Sequence, residues 1–442
     1  MLASVRSPIN VRYEDGVVII SGSVQQNLKI FVDKMLKGLL NTPSERSIDL
    51  LCIAAGTYAL DRAVRRKKEK GNDAGVRTFQ VCFQVSDVGY WDQPETIDLL
   101  TDITTFLTGD TWLISFCKRD SVYHATTQTR LSIDWPMPPR RLALYSGGLD
   151  SAAGFANRLL DGIDDYLLLT IGHQSAIRSN CVNQIRILAH ELHAARRISH
   201  ASLLLKLDGG VAERISFQER SQRSRAFLFC AAAAVVAYAS NIQEIEIFEN
   251  GVGAINLPPM EGMLGDGMST RGAHPGFLNK MSALTSSAFD HPMNYRLPFL
   301  WWTKAEMIKG LKRRPRLVEW AQSSRSCVHT SIRKRRLNHC GVCPACIERR
   351  QAVIAADVIE SPLYPYEQDV MSLVDPFSDD YLRCYMGNAD AWINNDPSVR
   401  ERLGRHRVLS DIEDLDQQHT EQLHVRHAHE VRSVFGGISY FS

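Results

Sequence analysis

Apolar positions fall into two regimes along the chain. Up to about residue 138, short alternating runs are interspersed with amphipathic stretches. Residues 17–21, 78–86 and 111–118 read as strands. Residues 24–40, 48–65 and 97–107 read as helices, the second presenting Leu50, Leu51, Ile53, Ala54 and Leu60 on one face. This pattern predicts an α+β accessory domain over residues 1–138. The Trp135-Pro136-Met137-Pro138-Pro139 stretch reads as a linker out of it.

From 139 to about 360 strands and helices alternate. Strands are expected at 142–145, 166–171, 201–207 and 242–249, and helices at 152–160, 181–197 and 223–240. That rhythm implies βαβ units in a doubly wound parallel sheet covered on both faces. Ligands of such sheets sit beyond the carboxyl ends of the strands, where strand order reverses. The loops after Ile171 and Glu249 are therefore expected beside the loop after Tyr145. Residues 251–298 carry Pro258-Pro259 and five glycines between Gly262 and Gly276, and are expected to form an irregular lid over the acceptor substrate. Residues 361–442 read as a helical C-terminal extension with helices at 379–394, 397–403 and 419–432. The last, with His419, His424, His427 and His429, is expected to be polar.

Composition narrows the class. A chain of 442 residues has room for two or three domains. Its 44% hydrophobic and 23% charged residues suit a soluble globular protein. A net charge of +2 carries no global nucleic-acid signature. Residues 1–11 lack the apolar core of a signal peptide, and no apolar run reaches the ~18 residues of a membrane span. Of ten cysteines, four cluster within twenty residues. This points to a reduced, cytoplasmic setting and one metal site, with no disulfide framework.

Candidate chemistry begins at Ser146-Gly147-Gly148-Leu149-Asp150-Ser151, a glycine turn between an apolar strand and a helix. Such a turn brings backbone N–H groups and a helix N-terminus toward an anion. Tyr145 through Ser151, with Gly172 and Gly251, are the expected nucleotide contacts. Ser146 can donate a hydroxyl, Asp150 can hold Mg²⁺, and Ser151 can cap the helix. The lysine of the common P-loop is missing here. His124 stands alone and reads as structural. Downstream, Cys340, Cys343 and Cys346 form C-x₂-C-x₂-C, with Cys327 before them. Four thiolates at this spacing can close a structural tetrahedral Zn²⁺ site. An iron–sulfur cluster uses the same ligands, and His329 or His339 could replace one of them.

The S-G-G-x-D-S pattern resembles the PP-loop of N-type ATP pyrophosphatases, which have an adenine nucleotide alpha hydrolase-like fold. Together with the four-cysteine knuckle, it is similar to the 7-cyano-7-deazaguanine synthase (QueC) family over about residues 141–358. Thr303-Lys304-Ala305-Glu306 resembles that family's Lys-Ala-Glu helix start. Arg223-Ser224, followed by Phe227-Leu228, stands where the family has Arg-Asn and a Phe-Leu-rich helix. Leu149 replaces the usual glutamine and Ser224 the asparagine.

The resemblance implies ATP, Mg²⁺ and Zn²⁺. It also implies adenylation of a carboxylate such as 7-carboxy-7-deazaguanine with release of pyrophosphate, and transfer to ammonia or to the amine of a partner protein. Ser146, Asp150, Lys304, Arg223 and Arg225 would be the catalytic groups. The added regions would serve partner selection and be dispensable for adenylation. Enlarged relatives of this kind occur in bacterial antiviral defence operons. Two other readings stand beside it. One is a tRNA-modifying enzyme that uses the basic residues Lys309, Lys312, Arg313, Arg314, Arg316, Arg325 and Arg333 to Arg336. The other is a non-catalytic scaffold that binds a partner. A solvated basic face is favoured over a nucleic-acid surface, and no membrane partner is expected.

Overall fold

The computed structural model describes residues 8–14, 17–24, 26–30, 43–66, 75–119, 139–163, 165–172, 175–192, 198–208, 219, 221–257, 270–328, 339–360, 366–372, 376–405 and 416–437. His124, His329 and the stretch 135–138 lie outside them.

Five parallel strands form one half of the sheet: β6 (Arg141–Leu144), β7 (Tyr166–Gly172), β8 (Ile198–Asp208), β9 (Glu244–Ile247) and β10 (Asn294–Arg296). Their order is β10-β9-β6-β7-β8. From β6 the chain moves outward to β7 and β8, then returns to place β9 on β6's other side. The order thus reverses at β6/β9, which opens a crevice beyond Leu144 and Ile247. Alternate strand residues enter opposite layers, Leu142, Leu167 and Leu169 one cluster and Ala143, Tyr166 and Leu168 the other.

Residues before 138 continue this same sheet. β1 (Ile9–Glu14), β2 (Val17–Ser21), β3 (Gln26–Ile30), β4 (Thr78–Val85) and β5 (Thr111–Lys118) complete ten strands in one order. The join is β3 against β8, antiparallel, with Leu28 opposite Leu207. The helix expected over 24–40 is therefore a strand where it is described. Leu28 and Ile30 alternate with polar residues, and β2 and β8 supply backbone partners on both sides. Sequence reading had no means to see a partner strand nearly 180 residues away.

One face of the sheet is covered by α1 (Glu45–Ala63), α3 (Pro94–Thr108), α6 (Arg225–Ala239) and α8 (Pro275–Phe289), with short α2 (Val88–Trp91) beside them. On α6, Ala231 through Ala237 are fully buried, as its alanine-rich composition suggests. The other face carries α4 (Leu149–Leu160), α5 (Ser175–Leu192), α9 (Lys304–Gly310), α10 (Pro315–Gln322) and α11 (Pro344–Ala355).

The irregular lid expected over 251–298 is largely ordered. It contains α7 (Gly251–Ile255), α8 and edge strand β10. In α8, His274 caps the Gly276 amide, Pro275 opens the first turn, and Phe277, Leu278, Met281, Leu284 and Ala288 form a buried stripe. Residues 258–269, including the Pro-Pro pair, lie outside the described residues.

The extension folds as α12 (Pro376–Ile393), α13 (Pro397–Arg405) and α14 (Gln417–Phe435). α14 was expected to be polar. It instead buries Ala428, Val431 and Phe435 against α12 and α11, and Leu423 against Ile255 of α7. No helix among the described residues is long and apolar enough to cross a membrane.

Candidate nucleotide site and metal centre

The turn after β6 sits at the reversal of strand order. Gly147 has φ +73°, and a Cβ there would lie 2.8 Å from Cys181 Sγ, so glycine is required on two counts. Gly148, not Ser151, is the residue that opens α4. Ser151 lies one turn in and donates its hydroxyl to the Gly148 carbonyl at 3.0 Å, with Ser146 Oγ also 3.0 Å away. Ser146 Oγ accepts from the Gly148 amide at 3.2 Å. The loop is thus held by its own hydroxyls, with the positive end of a twelve-residue helix behind it.

A charged cluster closes the crevice. Lys304 is the first residue of α9, fixed by a capping box between Thr303 and Glu306. Its Nζ lies 3.2 Å from Asp150 Oδ2 and 3.4 Å from Glu348 Oε2. Asn250, at the end of β9, caps α7 by accepting from the Gly253 amide at 3.0 Å. It offers its Nδ2 hydrogens to Asp150 at 2.9 Å and Glu249 at 3.1 Å. Burial pushes the Glu249 carboxyl up to about 8, the Asp150 charge adds to this, and Lys304 opposes it. Burial works against charge on Lys304, but Asp150, Glu348 and Glu249 together hold it protonated above the ordinary lysine value. The Lys304 ammonium already neutralises part of this acidic set, and among the described residues only the four cysteines group closely enough to hold a metal ion, so Asp150 is the one carboxylate left as a candidate Mg²⁺ ligand.

The four cysteines come together on the same side. Cys327, Cys340, Cys343 and Cys346 are all buried, and their sulfurs lie within 4.8 Å of one another. Cys340 and Cys346 Sγ are 3.9 Å apart, close to the ~3.8 Å separation that tetrahedral Zn–S bonds of ~2.3 Å impose. The Cys343 amide donates to Cys340 Sγ at 3.3 Å, as a C-x-x-C turn allows. The residues fit zinc. His339 is buried beside Tyr366 and is not part of the cluster.

Several expected contacts are placed otherwise. Arg223 donates to the Thr108 carbonyl at 3.1 Å and stands with Asp61, Arg66 and Asp110, so it serves the joint between α3 and α6. Arg225 is exposed, bonds Gln222 and lies over the Phe229 ring. The Tyr145 and Leu149 side chains belong to the core; Tyr145 donates to Gln184 at 3.0 Å. Gly251 is a packing glycine: a Cβ would fall 1.8 Å from the Leu300 carbonyl, and its amide already donates to Trp302 at 2.9 Å. Gly172 ends β7 at the crevice edge, while His173 and Gln174 lie outside the described residues.

Glu249, Asn250 and Glu348 were missed from the site. The Glu249-Asn250-Gly251 step after an apolar strand was the available signal for the first two. Glu348 is reached only through the packing of α11 on α9.

The class defined by these features is a mixed α/β protein with a glycine turn at the switch point of a parallel sheet and a four-cysteine centre beside it. Residues 268–357 match the family model of queuosine biosynthesis protein QueC, so this part of the chain is QueC-like. The match spans about a fifth of the chain and contains Lys304, Glu348 and all four cysteines, but not the glycine turn. No curated protein matches the chain.

Proposed function

We propose that the protein is a QueC-like ATP-dependent synthase with a PP-loop at Ser146–Ser151 that adenylates a carboxylate. The observation that supports this most is the approach of Lys304, from the QueC-like stretch, to within 3.2 Å of Asp150 in the glycine turn. Two segments more than 150 residues apart in sequence meet where a parallel sheet binds its ligands.

In this reading a carboxylate oxygen attacks the α-phosphorus of ATP, and pyrophosphate leaves with the electron pair of the broken P–O bond. The helix N-terminus and the Ser146 hydroxyl receive the phosphates. Lys304 supplies positive charge that is fixed in advance by its carboxylate neighbours. Mg²⁺ held at Asp150 would neutralise charge on the leaving group. An amine then attacks the acyl carbon, AMP leaves, and the amine loses a proton to give an amide. A second activation of that amide would give a nitrile. The acid is 7-carboxy-7-deazaguanine or a close analogue, and the amine comes from ammonia or a partner protein. Zinc at the four cysteines is structural, since four thiolates leave no open position.

The test is incubation with ATP and 7-carboxy-7-deazaguanine, with and without ammonium, followed by mass spectrometry. AMP, pyrophosphate and a product carrying the acyl group are expected. Acid-independent production of ADP would overturn the reading.

A further inference from the structure

The C-terminal extension was expected to be dispensable for adenylation and to serve partner selection. It instead roofs a recess whose floor is the charged cluster. The recess lies between α7, α11, α12 and α14, and Lys304, Glu348 and Asn250 line one end. Its cavity measures about 100 Å³ and opens to solvent, smaller than the few hundred Å³ of most small-molecule sites, so a ring-sized ligand would reach into its mouth.

The walls are flat rings. Tyr381 and Tyr385 stack with centroids 5.7 Å apart, and Trp392 stacks on His424 at 4.9 Å. Two buried wall residues keep polar atoms without partners. Gln351 is 1% exposed; its Oε1 faces the Tyr385 hydroxyl at 3.4 Å, and its Nε2 has no partner. His424 is 4% exposed, and its Nδ1 lies 2.8 Å from the Thr420 carbonyl. That contact requires the proton on Nδ1, because a carbonyl only accepts. Burial pushes the ring's pKa down to about 4, so it is neutral and Nε2 carries a lone pair. Nε2 also has no partner. Gln351 and His424 therefore offer an amide donor and an imidazole acceptor among aromatic faces, with the Lys304 ammonium at the end of the recess. Unmatched buried polar atoms are costly, and a ligand with a complementary edge removes that cost.

We propose that this recess is the acceptor pocket, taking a planar, uncharged heteroaromatic ring whose edge pairs with Gln351 and His424 and whose carboxylate points toward Lys304. This rests on the adenylation reading for the role of the carboxylate, and it makes α12 and α14 part of the active site. The adenine ring of ATP has the same flat, hydrogen-bonding chemistry, so the experiment must separate the two occupants.

The full-length protein is titrated with 7-carboxy-7-deazaguanine without ATP, with a non-hydrolysable ATP analogue, and then assayed for pyrophosphate release. Gln351→Leu and His424→Phe keep volume and remove one polar edge each. Tyr385→Phe, which loses only a hydroxyl, serves where a larger change unfolds the chain by circular dichroism. In the folded variants the acid's affinity is expected to fall roughly tenfold and its KM to rise in step, with the analogue's affinity within about twofold. Unchanged acid affinity in both variants overturns the proposal, as does a loss that falls on the ATP analogue. If the wild-type protein releases no pyrophosphate, the adenylation reading fails by itself. Binding still decides the pocket: acid or 7-deazaguanine bound by wild type and lost in the variants upholds it, and no binding of either overturns it.

Discussion

The backbone amide of Arg325 donates to the carbonyl of Gly147 at 2.8 Å. One residue later the Ser326 hydroxyl meets the Leu149 amide at 3.4 Å, and the next residue is the metal-site cysteine Cys327. Arg349, on the helix that also bears Cys346, bonds the Ser324 hydroxyl at 2.9 Å and the Gln322 carbonyl at 2.8 Å. The cysteine centre thus holds the strip of chain that clasps the glycine turn.

Under the proposed function, metal and nucleotide binding are therefore expected to be linked. Elemental analysis should find about one zinc per chain and no sulfide. Cys346→Ser, or stripping the metal with a strong chelator, should lower the melting temperature and weaken ATP-analogue binding together. A metal-free protein that binds the analogue with wild-type affinity would break the link.

In the proposed reaction Lys304 and Asp150, 3.2 Å apart, are the working pair. Lys304→Met leaves Asp150, Glu249 and Glu348 without their shared cation. Acid-dependent pyrophosphate release should drop by about 100-fold or more in Lys304→Met and in Asp150→Asn. Glu348→Gln, which keeps the Asp150 contact, should lose less. Near wild-type turnover in Asp150→Asn would reject Ser146–Ser151 as the phosphate loop.

How far the sequence shows this arrangement depends on the range of the interaction. The strand–turn–helix at 141–160 is written in neighbouring residues: an apolar run, two glycines, then an amphipathic helix. The cysteine set is legible from spacing alone, and the Lys304 helix start from the Thr303/Glu306 capping pair. What could not be read depends on distant partners. β3 is a strand because β2 and β8 flank it. α14 looks polar until α12 and α11 cover its Ala428/Val431/Phe435 side. Arg223 resembles a phosphate ligand in its local motif, but Thr108 and its neighbours engage it from another part of the chain.

Two histidines make stability depend on pH. Thr170 donates its hydroxyl to the Tyr145 carbonyl at 3.0 Å, so His200 Nε2, 2.9 Å from that hydroxyl, must be the donor. Burial, then the charge of Arg178, pushes His200 down to about 4; burial does the same to His424. Both values lie below the ~6.5 of an unfolded histidine. The unfolded chain therefore takes up protons first as pH falls. The contribution is whole above ~6.5 and is lost as pH drops toward about 4. Melting temperature should decline through that window, and His200→Phe with His424→Phe should flatten the decline. An equally steep decline in the double variant would rule out these two groups as its source.

A buried ion network ties the first third of the chain to α6. Asp110 receives both Nη atoms of Arg66 at 2.7 Å and also pairs with Arg77 at 2.6 Å. Asp61 pairs with Arg77, and its other oxygen accepts from the Ser224 amide at 3.1 Å and the Ser224 hydroxyl at 2.7 Å. Asp61, Arg66, Arg77 and Asp110 are each at most 8% exposed. Ser224 opens α6, so this buried network binds the first third of the chain to the helix that precedes β9. Removing the Asp110 charge leaves two buried guanidinium groups to share Asp61 alone. Asp110→Asn should cost about 3–5 kcal/mol, read as a lower denaturant midpoint at an unchanged slope. Deleting residues 1–138 removes all four of these charged residues, bares the β8 edge and uncovers α6. That truncation should yield insoluble or unfolded protein, not an isolated catalytic unit. A soluble truncated protein with a cooperative melt and intact ATP-analogue binding would show that the sheet is divisible at β3/β8 after all.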